Sequence, residues 1–342
     1  MQTKIFKTDD NSIEEAGRIL KDGGLVAFPT ETVYGLGGNA LMPDSVKKIY
    51  KAKGRPSDNP LIVHIADLED IKPLVSEIND NAKLLIDAFM PGPFTIILRK
   101  SGIVPDTVTA KMDTVAIRFP ENETAQRLIR AAGVPIAAPS ANISGKPSPT
   151  RASHVIDDLS GRIDGIIDGE NCMVGVESTI VDATGDVPVL LRPGGITYDE
   201  ICEIVPETVI DEHILNSLSE GEKPLCPGMK YTHYSPEADV YVVEGDVRAV
   251  RKKINELLEK SSDKHCGVLT MSRNTYNDAL IIYGGMTNKE YAKGLFANLR
   301  EFDRLGVDVV FAELCCDDEY SMAVKNRIYK SAGHKVIKTL DL

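Results

Sequence analysis

Residues 25–40 read LVAFPTETVYGLGGNA, and this stretch contains the pattern on which the fold of the first 200 residues depends. The apolar run Leu25–Phe28 predicts a buried strand, because a short apolar run bounded by glycine and proline is typical of strands inside a sheet. Ser12 and Glu15 match a capping box, which predicts a helix before this strand that stops at Gly23–Gly24. Polar residues and glycines follow the strand directly, where α/β folds build their sites.

The same alternation continues to about residue 205. Apolar runs predict further strands at Leu61–Ile65, Phe94–Leu98, Val115–Phe119, Pro135–Ala138, Ser178–Asp182 and Val189–Leu191. Amphipathic stretches predict helices at Asp44–Lys51, Asn81–Phe89 and Glu123–Ala132. This order of elements indicates an α/β domain with a mixed, twisted sheet, to which we assign residues 1–205.

A linker at residues 206–237 and a second, smaller domain at residues 238–342 are predicted next. The linker is polar and acidic, but its string CPGMKYTHYSP at 226–236 carries Tyr231, His233 and Tyr234, whose side chains suit docking on another surface. Beyond it, strands are predicted at Val240–Val243, Gly267–Leu269, Ala279–Tyr283 and Val307–Ala312, with helices at Asp246–Glu259 and Asn288–Leu305. This pattern indicates a three-layer, Rossmann-like α/β unit.

Composition limits the possible functions. The chain has 342 residues and a formal net charge of −12, which argues against a protein whose main task is to bind RNA. Its six cysteines have no Cys-x-x-Cys spacing, so we expect free thiols and no metal site. The chain has no apolar run of about 20 residues and no signal-peptide core at its start, so we expect a cytoplasmic protein without membrane association.

One cationic run stands out against this acidic background. Residues 50–60 read YKAKGRPSDNP, which holds Lys53 and Arg55 between a helix end and two prolines. A lysine and an arginine in such a fixed setting suit a polyphosphate, so we predict a function for this pair. For the preceding Lys47, Lys48 and Lys51 we favour a solvated helix face.

Two strand ends carry further candidates. A single histidine such as His64 on a strand is more often a satisfied core residue than a ligand contact. Arg118 ends an apolar strand and needs a partner, because an unpaired buried guanidinium is costly. From the residues alone, that partner is equally well a carboxylate of the chain or the carboxylate of a substrate.

Three glycine- and serine-rich loops complete the candidates. APSANISGKPSP at 138–149 has small residues suited to wrapping phosphate or sugar oxygens but lacks the P-loop pattern, and GVESTIVD at 175–182 and LRPGG at 191–195 follow. Residues 35–40 match a relaxed dinucleotide fingerprint, which is weak evidence on its own. No catalytic triad, carboxylate pair or metal pattern stands out. The chemistry therefore looks like positioning and charge neutralisation, not covalent catalysis.

The strings PTETVYGLG, KAKGRP with NPLIVHI, MPGPFTIIL, VAIRFP, APSANISGKPSPT and GVESTIVD, in this order, closely resemble the YrdC/Sua5 family. The paired K-x-R and S-x-N motifs of that family stand here as Lys53–Arg55 and Ser140–Asn142. The linker string and the second domain resemble the longer Sua5 branch, and the resemblance covers essentially the whole chain.

The resemblance implies a nucleotidyltransferase that makes L-threonylcarbamoyl-AMP and pyrophosphate from ATP, L-threonine and bicarbonate. A downstream threonylcarbamoyl transferase complex would then modify adenosine 37 of tRNA to N6-threonylcarbamoyladenosine. Mg²⁺ would accompany ATP through its phosphates. Whether the enzyme touches tRNA itself is left open.

The resemblance also implies roles for single residues, with Lys53 and Arg55 as the catalytic cations. Threonine would be bound by Thr32, His64, Arg118, Ala138 and Ser178. ATP would be bound by Lys53, Arg55, Asn59, Thr114, Ser140, Asn142, Ser148, Arg192, Tyr231, His233 and Tyr234. We further hypothesise that the linker folds over the first domain's cleft and shields a water-sensitive intermediate.

Two other functions are alternatives to this one. Carbamoyl transfer in hydrogenase maturation would normally come with acylphosphatase and zinc-finger segments, which this chain lacks. The second is an RNA-binding or ribosome-associated module without turnover, against which the net charge and the full set of ATP-site residues argue.

Overall fold

The structure is a computed structural model and describes residues 2–214, 226–227, 234–272 and 274–339. The chain divides into two compact units, residues 1–144 with 148–230, and residues 145–147 with 231–342. Each unit is built on its own β-sheet. The predicted fold class, a mixed-sheet α/β domain followed by a smaller Rossmann-like one, is confirmed. No described helix has the length and apolar character needed to span a membrane.

The sheet of the first unit has eleven strands among the described residues. They are β1 (Lys4–Phe6), β2 (Val26–Phe28), β3 (Gly35–Asn39), β4 (Ile62–His64), β5 (Phe94–Arg99), β6 (Thr114–Arg118), β7 (Ile136–Ala137), β8 (Gly165–Ile167), β9 (Thr179–Asp182), β10 (Val189–Arg192) and β11 (Val209–Ile210). Their order in space is β1-β8-β2-β3-β7-β4-β6-β5-β9-β10-β11. The sheet is mixed: β4 runs parallel to β6 and antiparallel to β7.

Helices of the first unit pack on this sheet. They are α1 (Asp10–Lys21), α2 (Pro43–Lys53), a 3₁₀ helix (Leu68–Leu74), α3 (Asp80–Phe89), α4 (Asp106–Thr109), α5 (Glu123–Ala132), α6 (Ala152–Leu159) and α7 (Tyr198–Ile204). The apolar faces of α1 and α5 share one buried cluster with β2, which includes Leu20, Phe28 and Leu128. A Cβ at Gly17 would lie 2.7 Å from Ala131, so glycine permits the close approach of these two helices.

One local prediction in this unit is wrong. Ser12 does not cap α1; Asp9 does, because its carboxylate accepts from the backbone N–H of Ser12 at 3.1 Å. The weak match to a dinucleotide fingerprint at residues 35–40 was correctly set aside, because Gly35–Asn39 is the buried strand β3 between β2 and β7. A Cβ at Gly37 would come within 2.9 Å of Ile136, so packing explains this glycine without a nucleotide.

The second unit is a five-stranded parallel sheet with helices. Its strands are β12 (Asp239–Glu244), β13 (Cys266–Thr270), β14 (Leu280–Tyr283), β15 (Val309–Leu314) and β16 (Val336–Lys338), and its helices are α8 (Val247–Lys260), α9 (Asn288–Arg304) and α10 (Ser321–Ser331). The order in space is β14-β13-β15-β12-β16, with each pair parallel. β16 and α10 were not predicted from the sequence, because the strand is short and the helix is largely polar.

The segment predicted as a linker contains ordered structure at its start. β11 lies within residues 206–237 and pairs in parallel with β10. Cys226 is fully buried in an apolar cluster with Ile62, Ile180 and Leu191 of the first unit. All six cysteines are free thiols, as predicted.

Candidate active site

Three segments that the sequence singled out are tied together in the first unit. The backbone N–H of Tyr34 donates to Pro149 O (2.8 Å), and that of Ala141 donates to Tyr34 O (2.8 Å). The backbone N–H of Val174 donates to Glu31 O (2.8 Å). The polar segment after β2 is therefore joined to the loops at 138–149 and 172–178, and side chains far apart in the sequence lie near one another.

Strands β4 and β6 place His64 and Arg118 side by side. The two strands are parallel, and these two residues face each other in register at their carboxyl ends. Ala138 joins them on the other side of β4, where its backbone N–H donates to Ile62 O (2.9 Å). The carboxyl ends of parallel strands are a common position for ligand sites in α/β sheets.

Arg118 has a partner within the chain. Its Nη2 donates to Glu31 Oε1 at 2.6 Å, and both side chains are almost fully buried. Of the two partners that the sequence left open, the structure thus shows a carboxylate of the protein. Two further atoms of the pair, Arg118 Nε and Glu31 Oε2, are buried without a hydrogen-bond partner.

His64 is held neutral. Burial first, and the nearby Arg118 guanidinium second, lower the pKa of His64 to about 3, although the carbonyls of Ile62 and Ile136 act in the opposite direction. Its Nδ1 lies 3.2 Å from Ile62 O, which fixes the ring, and Phe28 packs edge-on against it at 6.1 Å. A neutral imidazole can donate or accept a hydrogen bond but adds no charge to the site.

Four buried hydroxyl groups form two hydrogen-bonded pairs in this unit. Thr32 Oγ1 lies 2.9 Å from Thr30 Oγ1. Ser178 Oγ lies 2.7 Å from Thr95 Oγ1, and Arg192 Nη2 donates to the same Ser178 oxygen at 3.1 Å. The structure therefore brings together Ser178, predicted for threonine, and Arg192, predicted for ATP.

The two parts of the K-x-R and S-x-N motif are in direct contact. Lys53 is buried, and its Nζ donates to Ser140 O (2.5 Å), Asn142 O (2.6 Å) and Asn142 Oδ1 (3.2 Å). Ser140 Oγ also donates to Asn142 Oδ1 at 2.5 Å. An ammonium group has three N–H donors, and Lys53 directs its ammonium group at this loop. The side chain therefore holds the loop in shape and also places a positive charge next to it.

The turn at Gly54 sets the direction of Arg55. Gly54 ends α2 in the left-handed conformation (φ 64°), and the N–H of Arg55 donates back to Tyr50 O at 3.0 Å. The Arg55 Nη2 then donates to Pro60 O (3.1 Å), next to the buried Asn59. Lys53 and Arg55, on either side of Gly54, thus contact different parts of the chain.

Thr114 lies at the other end of β6 from Arg118. It is the first residue of the strand, so the two are separated by about 13 Å of strand length. Thr114 lies two residues before Ala116, which pairs with Ile62 at the start of β4. Of the residues predicted for ATP, Thr114 thus lies away from Arg118, whereas Arg192 contacts Ser178.

Ser148 and Glu177 form a buried pair that joins two of the loops. Ser148 Oγ donates to Glu177 Oε1 at 2.5 Å.

Next to the Glu31–Arg118 pair, burial raises the pKa of the Cys172 thiol to about 12, so this side chain is neutral. Sequence reasoning missed Glu31, Thr95 and Glu177 as site residues. Glu31 and Glu177 lie inside quoted motifs, whereas Thr95 is an ordinary strand residue that only the fold reveals.

Tyr234 packs in the second unit. Its ring stacks on Phe296 at 5.0 Å, and the Arg327 guanidinium lies 5.8 Å from the ring centre. Tyr231 and His233 lie outside the described residues. An ATP contact of these three residues stays a prediction. Among the residues that the structure describes, no group of three or more His, Cys, Asp or Glu side chains could hold a metal ion.

Comparison with known families identifies this arrangement. A family model described as "Telomere recombination", which covers Sua5, YciO and YrdC proteins, matches residues 18–194. The chain belongs to the Sua5/YrdC family. A second family model, described as the C-terminal domain of threonylcarbamoyl-AMP synthase, matches residues 196–333. Both units of the chain are thus those of the longer, Sua5-type members of the family.

Two relatives and one solved structure, each matched over almost the full length of both chains, support this assignment. A threonylcarbamoyl-AMP synthase of Pyrococcus abyssi is 47% identical over 332 residues, with 97% of each chain covered. A threonylcarbamoyl-AMP synthase of Bacillus subtilis is 46% identical, with 98% of this chain and 97% of the relative covered. The crystal structure of Pyrococcus abyssi Sua5 complexed with L-threonine matches with a TM-score of 0.94, over 99% of this chain and 100% of that one.

Proposed function

We infer that the protein synthesises L-threonylcarbamoyl-AMP and pyrophosphate from L-threonine, bicarbonate and ATP, the first step of N6-threonylcarbamoyladenosine formation at position 37 of tRNA. The observation that carries this conclusion is the likeness over almost the full length of both chains to synthases from two distant organisms. The buried cations and hydroxyls of the first unit supply the positioning and charge neutralisation that this reaction needs.

Threonine binds, in this proposal, at the carboxyl ends of β4 and β6. Arg118 would hold its carboxylate, with Thr32, the neutral His64, the backbone of Ala138 and Ser178 around the rest of the molecule. The buried setting of Arg118 supports this role, because a carboxylate–guanidinium contact gains strength where water is excluded.

ATP would extend from Ser178 along the loops toward Thr114. Arg55 and Arg192 would contact its phosphates directly, and Lys53 would act through its charge and by holding Ser140 and Asn142 in place. Asn59, Thr114 and Ser148 would bind the remainder, and the linker residues Tyr231, His233 and Tyr234 stay proposed contacts. Mg²⁺ enters as part of the substrate, bound to the ATP phosphates.

The reaction has two bond-forming steps. The threonine ammonium group loses a proton to solvent, and its nitrogen then forms a bond to the carbon supplied by bicarbonate, with loss of water, to give a carbamate. A carbamate oxygen then attacks the α-phosphorus of ATP, and the bond from that phosphorus to the bridging oxygen breaks as pyrophosphate leaves. Negative charge grows on the departing pyrophosphate, so the cations stabilise the transition state more than the bound substrates. The adenylate would pass to a threonylcarbamoyl transferase complex in the cytoplasm, where ATP and tRNA are found.

Pyrophosphate release tests this function directly. The full-length protein with Mg–ATP should release pyrophosphate only when threonine and bicarbonate are both present, and omission of either should abolish release. Pyrophosphate release that needs neither substrate would contradict the proposal. An absence of release together with salt-sensitive RNA binding would favour the RNA-binding function instead.

A further inference from the structure

Glu31 and Arg118 form an ion pair that leaves one hydrogen-bonding atom of each residue unused. Arg118 Nη2 meets Glu31 Oε1 at 2.6 Å, while Arg118 Nε and Glu31 Oε2 are buried and have no hydrogen-bond partner. The Nε and Nη2 groups of an arginine form one fork, to which a carboxylate can bind with both oxygens. Here the carboxylate of Glu31 accepts from only one of these two groups, Nη2.

The unused atoms are costly to the folded protein on their own. A buried polar group without a partner destabilises a fold by roughly 1–3 kcal/mol, and more when the group is charged. Few such atoms occur in native structures, and a pair of them in one ion pair calls for a functional explanation. A ligand that supplies one acceptor and one donor would satisfy both atoms.

The surroundings define the chemistry of such a ligand. Two titratable side chains that interact electrostatically with the pair, His64 and Cys172, are both neutral because burial disfavours their charged forms. The unused atoms are thus a carboxylate oxygen and a guanidinium N–H that belong to one ion pair. An α-amino acid in its zwitterionic form has the complementary pair, a carboxylate and an ammonium on one carbon.

We propose that Glu31 is a positioning residue that receives the α-ammonium group of threonine through Oε2, while its Oε1 keeps Arg118 in place for the carboxylate. The proposal rests on the function inferred above and deepens it, since it assigns the recognition of the amino group to one side chain. It also gives the site a way to place the nitrogen that must form the bond to the bicarbonate carbon.

A structural role alone predicts something different. If Glu31 only holds Arg118, its loss weakens every ligand that has a carboxylate, with or without an amino group. If Glu31 contacts the ammonium, its loss weakens only ligands that have one. A ligand pair that differs in this group therefore separates the two roles, in the manner of a double-mutant cycle.

The test is isothermal titration of the full-length protein with L-threonine and with 2,3-dihydroxybutyrate, in which a hydroxyl replaces the amino group. Wild-type protein should bind threonine at least about tenfold more tightly than the hydroxy acid. E31Q should lose about 10- to 100-fold in threonine affinity, the range expected for a hydrogen bond between charged groups, and less than about threefold for the hydroxy acid. Glu14→Gln, at an exposed position of α1, is the matched control and should change neither affinity.

Three results would overturn the proposal. These are equal losses for both ligands in E31Q, unchanged threonine affinity in E31Q, and wild-type protein that binds both ligands equally well. The last comparison needs no variant, so it holds even if E31Q fails to fold. A wild-type protein that does not bind threonine and releases no threonine-dependent pyrophosphate would instead refute the proposed function, and the two failures are thereby distinguished.

Discussion

Burial of charged and ionisable side chains organises the candidate site at the scale of single residues. Lys53, Arg118 and Arg192 are each less than about a tenth exposed, and each is held by oxygens of the chain itself. Sequence reasoning could predict that such cations need partners, because an unpaired buried charge is costly. It could not predict which partner, since Glu31 lies 87 residues from Arg118 and only the fold brings them together.

His64 should make stability depend on pH. Its pKa is about 3 in the folded protein, against 6.5 for an unperturbed histidine, so the unfolded chain takes up the proton first as the pH falls. The free energy of unfolding should therefore decrease between pH 6.5 and 3, by up to about 1.4 kcal/mol per pH unit from this residue, with no contribution above pH 6.5.

Urea unfolding of wild-type protein and H64Q across this pH range measures the effect. The difference between the two profiles isolates His64 from other groups that titrate in the same interval. A difference in the free energy of unfolding between wild-type protein and H64Q that stays constant from pH 6.5 to 4 would contradict this expectation. It would mean that the folded protein accepts a proton on the His64 ring.

Arg55 should matter more for turnover than for threonine binding. Its charge is proposed to stabilise the departing pyrophosphate, so Arg55→Ala should lower kcat by about a hundredfold or more, the loss typical for removal of one transition-state contact. The Kd for threonine should change by less than about threefold. Lys47→Ala, which removes an exposed cation of α2, the helix that precedes Arg55, is the control and should keep wild-type turnover. Unchanged kcat in Arg55→Ala would remove Arg55 from the catalytic role.

At the scale of elements, apolar periodicity predicted the strands that carry the site. β4, β6 and β9 lie within one residue of their predicted bounds because each contains a short apolar run. β3 was not predicted, since its sequence, GLGGN, has the composition of a turn. Tertiary packing of β2, Ile136 and Ile49 against bare glycines outweighs local preference there.

Gly194 should be required for the shape of the site. A Cβ at this position would lie 2.4 Å from both Glu177 O and Thr179 N, which are backbone atoms on either side of Ser178. Gly194→Ala must therefore displace the start of β9, and with it Ser178 and its contact to Arg192. We expect a loss of stability of about 1–3 kcal/mol and a weaker affinity for threonine.

Thermal unfolding and threonine titration of Gly194→Ala check this expectation. Gly185→Ala is the matched control, because a Cβ there has no atom within 4 Å and should leave both quantities unchanged. Wild-type threonine affinity in Gly194→Ala would show that Ser178 is not a threonine contact.

At the scale of the whole molecule, two domains and their fold classes could be predicted from the sequence, because the strand and helix rhythm stops near residue 206 and resumes near residue 238. The strand β11, in the first part of the predicted linker, was not predicted. It has only two residues and pairs with β10. The hypothesis that residues 226–236 shield a water-sensitive intermediate stays a prediction.

The most direct test of the central claim is the mass of the adenylate formed from threonine, Mg–ATP and ¹³C-bicarbonate. The account predicts threonylcarbamoyl-AMP with one ¹³C in its carbamoyl group, because the threonine nitrogen must bond to the bicarbonate carbon before the α-phosphorus is attacked. An adenylate of threonine without the added carbon, or a carbamoyl group without the label, would contradict it.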